Sequence, residues 1–147
     1  MRRPLLPPAC FAGLLTLMLV LHFVLPLAQW NRGASRWWGI PFTAAGVLLL
    51  AAALRRFGSR TTRHPFEKPS LLVTDGAFRL SRNPMYAGML LSLVGAAIML
   101  GSLSPWVAVP LYVAIFQSRF IAHEERALEA SFGDAYRAYR RRVRRWL

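Results

Sequence analysis

Residues 84–118 read PMYAGMLLSLVGAAIMLGSLSPWVAVPLYVAIFQS, and their reading decides the fold. The run contains no Asp, Glu, Lys or Arg. At about 1.5 Å per helical residue it is too long for one bilayer crossing and short for two full ones. GSLSP at residues 101–105 supplies a turn in its middle. The pattern predicts a tight helical hairpin with tilted or partly immersed arms. Proline is favoured in the first turn of a helix and asparagine just before it, so Asn83-Pro84 marks the start of the first arm.

Two more uncharged runs precede the hairpin. Residues 9–28 have about the length a bilayer requires. Residues 37–54 begin with Trp37 and Trp38, which suit a membrane interface. The expected class is all-α, a polytopic membrane protein of about four spans. Its 147 residues make one domain. Residues 1–54 hold the first two spans, and 55–147 hold a loop, the hairpin and a C-terminal helix.

The composition is 55% hydrophobic, yet the net charge is +13. The two characters segregate into long apolar runs and short basic ones, as membrane proteins do. Arginines at the ends of apolar runs meet anionic headgroups, so no nucleic-acid partner is expected. The single cysteine, Cys10, excludes an intrachain disulfide and a cysteine metal cluster, and no metal is expected. LPPAC at residues 6–10 is no lipoprotein box, because the apolar stretch follows the cysteine. PLAQW at residues 26–30 lacks small residues at both key cleavage positions, so a retained first span is expected.

Alternating the charged segments across a bilayer puts 17 basic residues on one side and two, Arg32 and Arg36, on the other. The positive-inside rule then places both termini and the loop at residues 55–83 in the cytoplasm, and in a bacterium the inner membrane is the expected location. That loop carries Pro65, Phe66, Pro69, Leu71, Leu72, Val73 and Phe78, too apolar for a disordered linker. In the tail, Ile121, Leu128, Phe132, Tyr136, Tyr139, Val143 and Trp146 recur at helical steps between arginines. An amphipathic helix along an anionic membrane face is expected, bent or interrupted at Gly133.

No phosphate loop, dinucleotide fingerprint, zinc-protease motif or nucleophile elbow occurs. His22, His64 and His123 are far apart, and His22 within a span reads as a packing residue. Three stretches remain. SLLVTDGAFRLSRNPMY, residues 70–86, leads an extended piece into the Asn-Pro corner. The free N–H groups of a helix start beside the Arg82 guanidinium would suit a carboxylate. AHEERALEASFG, residues 122–133, sets Glu124 and Glu125 on a basic side of the protein. Those carboxylates either pair with Arg79, Arg82 or Arg126, or bind an ammonium. The third stretch, GDAYRAYRRRVRRW at residues 133–146, is explained by contact with lipid. An anion site, a carboxylate for an amine and the rings of Phe78 and Tyr86 match S-adenosylmethionine better than a nucleoside triphosphate.

LVTDGAFRLSRNPMYAGMLL, a hairpin and then HEERALEASFGDAYRAYRRRV resemble the isoprenylcysteine carboxyl methyltransferases and the related phospholipid methyltransferases. The family pattern is roughly LVTxGxYxxxRHPxYxG, a Glu-Glu pair and FGxxYxxYxxxV. The resemblance implies a membrane methyltransferase with S-adenosylmethionine in a cytosol-facing pocket. Cofactor contacts would fall on Leu71, Leu72, Val73, Phe78, Asn83, Pro84, Met85, Tyr86 and Glu124, beside Arg82. Asn83 stands where the pattern has histidine, and Phe78 where it has a hydroxylated aromatic. Phe120, with Arg119 beside it, stands where the protein methyltransferases carry a substrate-holding arginine. The expected partners are the bilayer and a lipophilic acceptor, with Arg119 or Arg126 near its polar head. Glu125 and His123 are candidate bases. The competing expectations are an NADPH-dependent reductase of the steroid-reductase type and a non-catalytic membrane subunit.

Overall fold

The computed structural model describes residues 6–29, 33–57 and 71–147. His64, Lys68, Arg2, Arg3, Arg32, Arg60 and Arg63, with the loop residues Pro65, Phe66 and Pro69, lie outside the described residues. Among the described residues every regular element is helical.

Helix α1 (Pro7–Val24) starts on a proline and ends short of the expected residue 28. Its stop has a local cause: Leu25 precedes Pro26, and the residue before a proline is disfavoured in the helical region. A 3-10 turn (Ala34–Trp38) leads into α2 (Gly39–Phe57). Helix α3 (Pro84–Leu100) ends at Gly101, whose φ of 69° suits glycine and whose N–H closes the last turn on the Ala97 carbonyl. After a 3-10 turn (Ser104–Val107) the chain runs without a break through α4 (Ala108–Ile115), a π-helical segment (Phe116–Ile121) and α5 (Ala122–Arg142). The tail is therefore a continuation of the hairpin's second arm, not a separate helix.

The runs Pro7–Val24, Ala34–Arg56 and Ser104–Arg142 each hold a stretch long and apolar enough to cross a bilayer, and α3 is a shorter apolar helix. The apolar part of the last run ends at Ser118, before Arg119. Only 11% of the first stretch and 17% of the second are buried within the protein, so most of that apolar surface faces outward. In water this would be costly; in lipid it is the required surface. The protein is a multi-pass membrane protein.

Three features fix the packing. Helices α2 and α3 meet along a seam of small residues. A Cβ on Gly46 would stand 2.5 Å from the Gly88 carbonyl oxygen, and one on Gly88 would stand 2.6 Å from that of Gly46. Gly39 and Gly95 make the same mutual approach one heptad away. Within lipid, helices adhere by close packing, and small residues permit it. At the other end of α3, the hairpin turn ties to α1. Leu103 N–H donates to the Leu27 carbonyl (2.8 Å), Ser104 Oγ to the Leu21 carbonyl (3.2 Å), and His22 Nδ1 pairs with Ser102 Oγ (2.8 Å). His22 thus lies in the last turn of α1 and does pack, through a polar contact.

The third feature is the bend in α5. In a straight helix, residues eleven apart are separated by about 16 Å and residues twenty apart by about 30 Å. Yet Arg140 reaches Glu129 at 3.4 Å and Arg145 reaches Glu125 at 2.6 Å. The helix doubles back at Gly133, whose φ of 48° and ψ of −118° lie outside the helical region. The expected interruption is a near reversal. It buries Tyr136 and Tyr139 against the protein.

Candidate functional site

The bend brings the end of the chain to the corner that starts α3. Arg82 N–H donates to the Arg144 carbonyl (2.8 Å). Ser81 Oγ and Asn83 Nδ2 each donate to the Arg145 carbonyl (3.1 Å). Tyr139 Oη donates to the Phe78 carbonyl (2.6 Å). Asn83 holds the N-cap position, but its side chain makes no cap bond. Its amide points to the returning chain instead, and Ser81 Oγ receives the Asn83 N–H (3.0 Å).

The two adjacent glutamates have different surroundings. Glu125 is buried and lies between two guanidinium groups. Arg82 Nη2 is 3.2 Å from its Oε1, and Arg145 donates Nε and Nη2 to its two oxygens at 3.1 and 2.6 Å. The Arg82 and Glu125 side chains are 8% and 9% exposed, so this is a desolvated pair. One carboxylate serves two cations, and Arg82 Nε and Nη1 remain buried with no hydrogen-bond partner. A buried, unpaired guanidinium donor is costly unless something polar meets it.

Glu124 accepts a 2.6 Å hydrogen bond from Tyr86 Oη. Desolvation pushes its carboxyl up from the ordinary 4.5 to about 7, and the Tyr86 hydrogen bond acts in the opposite direction. Tyr86 is held in an aromatic wall. Its ring meets Phe116 edge-on with centroids 5.4 Å apart, and Tyr112 stacks on Phe116 at 3.9 Å. Tyr112 Oη donates to the Tyr86 carbonyl (2.9 Å). Tyr112, Phe116, Phe120 and Glu124 recur every four residues, and the wider π-helical turn across Phe116–Ile121 keeps such steps on one face.

Leu71, Leu72 and Val73 line a separate cleft of about 450 Å³ with Arg55, Arg56, Thr74 and Asp75. Arg56 closes on Asp75 at 3.0 Å. Phe78 and Ala77 are buried against Ala53, with Val73 and Met85 beside them. Pro84 is buried in the first turn of α3. Thus Arg82, Asn83, Pro84, Met85, Tyr86, Glu124 and Glu125 come together, and Val73 links them to the cleft through Phe78. Arg119, His123 and Arg126 are exposed, and Arg126 Nε donates to the Ala122 carbonyl of its own helix. Reading the sequence missed Arg145, Ser81 and Tyr139. Arg145 sits in a run of arginines with nothing to single it out; the glycine that reverses the helix was the available signal.

A family model for phospholipid methyltransferases matches residues 34–135. The chain is 41% identical over 63 residues to an uncharacterized protein of Haemophilus influenzae, covering 43% of this chain and 100% of that one. It is 32% identical over 105 residues to the protein-S-isoprenylcysteine O-methyltransferase of Schizosaccharomyces pombe, covering 69% of this chain. It is 29% identical over 139 residues to protein-S-isoprenylcysteine O-methyltransferase B of Arabidopsis thaliana, covering 89% of this chain. The chain spans 44% of the length of the S. pombe protein and 70% of the Arabidopsis one. No solved structure matches.

Proposed function

The chain belongs to the phospholipid methyltransferase family, and from that premise we propose that it transfers a methyl group from S-adenosylmethionine to a small lipophilic acceptor at the cytoplasmic membrane face. The observation that carries this reading is the pair of unmet groups at the α3 corner. Arg82 presents two buried donors with no acceptor, and Glu124 is a desolvated carboxyl with one phenol for company. An amino-acid zwitterion is complementary to both: its carboxylate to Arg82 and its ammonium to Glu124.

The residues present therefore fit the cofactor. Arg82 and the first N–H groups of α3 hold the carboxylate. Glu124, oriented by Tyr86, holds the ammonium. The apolar cleft edge at Leu71, Leu72 and Val73 suits the adenine end. When bound, S-adenosylmethionine supplies a methyl group already activated by its sulfonium, so the protein's main task is alignment and exclusion of water. Phe116 and Phe120 wall off the membrane side of Tyr86 and serve both ends. A carboxylate acceptor needs no base, whereas an amine acceptor must first lose a proton. Glu125 has both oxygens engaged by arginines, which favours a bracing role over that of a base; His123 is the other candidate. Arg119 and Arg126, exposed beyond the last apolar stretch, would meet an acceptor's polar head. The charge distribution supports cytoplasmic termini and a cytoplasmic corner.

Calorimetric titration of the detergent-purified protein with S-adenosylmethionine, with NADPH as control ligand, tests the reading. Saturable binding of S-adenosylmethionine is expected. Binding of NADPH alone would replace the proposal with a reductase. Binding of neither by folded protein would leave a membrane subunit without this chemistry.

A further inference from the structure

The corner and the returning chain together carry more positive charge than the cofactor reading uses. In the cofactor reading, Glu125 and the bound carboxylate together offset Arg82 and Arg145. Arg137 and Arg140 on the second arm of α5 are matched by Glu129 and Asp134. Arg141, Arg142 and Arg144 are exposed and have no acidic partner among the described residues. Arg141 and Arg142 precede, and Arg144 belongs to, the segment whose carbonyls receive Arg82, Ser81 and Asn83.

The depth of this segment identifies what meets it. The Arg144 carbonyl receives the Arg82 N–H two residues before α3 starts, so the segment lies at the end of an apolar helix. Trp146, two residues beyond Arg144, packs against the apolar cluster that includes Phe120. A tryptophan at the end of spanning helices sits at headgroup level. The three arginines thus stand at the end of the apolar helices, the level at which a spanning protein meets headgroups. Without an anion there, they repel one another, and this repulsion works against the closed segment.

We infer that Arg141, Arg142 and Arg144 form a binding site for anionic phospholipid headgroups, and that lipid bound there holds residues 143–147 closed over the α3 corner. The lipid-binding part stands without the cofactor. The consequence for catalysis, that anionic lipid tightens S-adenosylmethionine binding by keeping the corner shielded, rests on the function proposed above.

The detergent-purified full chain is titrated with short-chain phosphatidylglycerol, with short-chain phosphatidylcholine and inorganic phosphate as controls and no cofactor present. Each arginine near a lipid surface contributes about fivefold, so the three predict a preference of about a hundredfold for the anionic lipid. That preference should fall stepwise in R141Q, R142Q and R144Q, which alter exposed side chains and leave the fold intact. In the same samples, hydrogen exchange at the Arg82 amide reports closure, because that N–H donates to the Arg144 carbonyl; it should slow when phosphatidylglycerol binds. Equal affinity for the two lipids, or a preference that survives the triple variant, overturns the site. Phosphate competing as well as the lipid would make it a free-anion site and overturn the lipid assignment. Lipid binding with unchanged exchange at Arg82 overturns the coupling. Failure of S-adenosylmethionine to bind, with all these results intact, would count against the cofactor reading alone.

Discussion

The α2–α3 seam and the α3 corner lie a few turns apart on one helix and are held by opposite means. At the seam, side chains are missing. Gly46 and Gly88 let two backbones meet, and no charge takes part. At the corner, polar groups do the holding. The Arg82 backbone N–H and the Ser81 and Asn83 side chains reach the carbonyls of the returning chain, and one buried carboxylate spans two arginines. The difference follows from the medium. Inside lipid, helices gain little from hiding apolar surface and cohere by contact. At the interface, water competes, and only desolvated, well-oriented polar groups hold a bend such as that at Gly133.

The sharpest way to break the comparison is at the seam. Gly46→Leu or Gly88→Leu drives a side chain into the partner backbone, and a loss of at least about 4 kcal/mol is expected, enough to abolish folded protein. Gly13→Ala is the control. Nothing lies within 4 Å of a Cβ there, and a gain of about 0.5–1 kcal/mol is expected. Thermal denaturation in detergent reads both. If Gly88→Leu melts like the parent, the seam is not close-packed.

At the corner the larger effect belongs to Glu125. Glu125→Gln leaves two guanidinium groups without a counter-charge, one of them buried, and about 3–5 kcal/mol is expected to be lost. Release of residues 143–147, read as faster exchange at the Arg82 amide, should accompany it. Unchanged exchange would show that backbone bonds alone hold the segment.

The smallest effect on the fold, and the most telling for function, belongs to Glu124. Glu124→Gln keeps an acceptor for Tyr86, so stability should change little while S-adenosylmethionine affinity drops about tenfold to a hundredfold. Glu129→Gln should leave affinity unchanged. The pH dependence gives the same test without mutation. Because the folded carboxyl is raised to about 7 from 4.5, the folded state binds its proton more tightly than the unfolded chain does. This group's contribution to stability is therefore full below its ordinary value and lost as pH rises through about 7. Ammonium binding needs the ionised form, so affinity should rise about tenfold per unit between about pH 5 and 7. Both slopes should vanish in Glu124→Gln; a slope that persists assigns the titration elsewhere.

Much of this architecture is legible in single residues. The length of an apolar run and the position of Pro84, Gly101 and Gly133 are local facts, and helix starts, stops and breaks obey local sterics. The pairing of Glu124 with Tyr86 and of Glu125 with Arg82 was open, because residue types do not say which of two adjacent carboxylates faces which cation. Glycines seven residues apart, at 39 and 46 and again at 88 and 95, are visible in the sequence. They went unread because glycine in a span has several meanings and only the partner helix selects one.

By itself, then, the sequence determined that the chain spans a membrane several times, that a helix starts at Pro84, and that an Asn-Pro corner and a pair of glutamates stand at the charged edge. Only the tertiary structure decided that α5 reverses, that Asn83 turns from capping its helix to hold the Arg145 carbonyl, and that Glu125 braces while Glu124 stays available. The reason is physical. Hydrophobic length and backbone sterics act within a few residues, whereas a buried charge is set by whichever distant group the fold brings within about 3 Å of it.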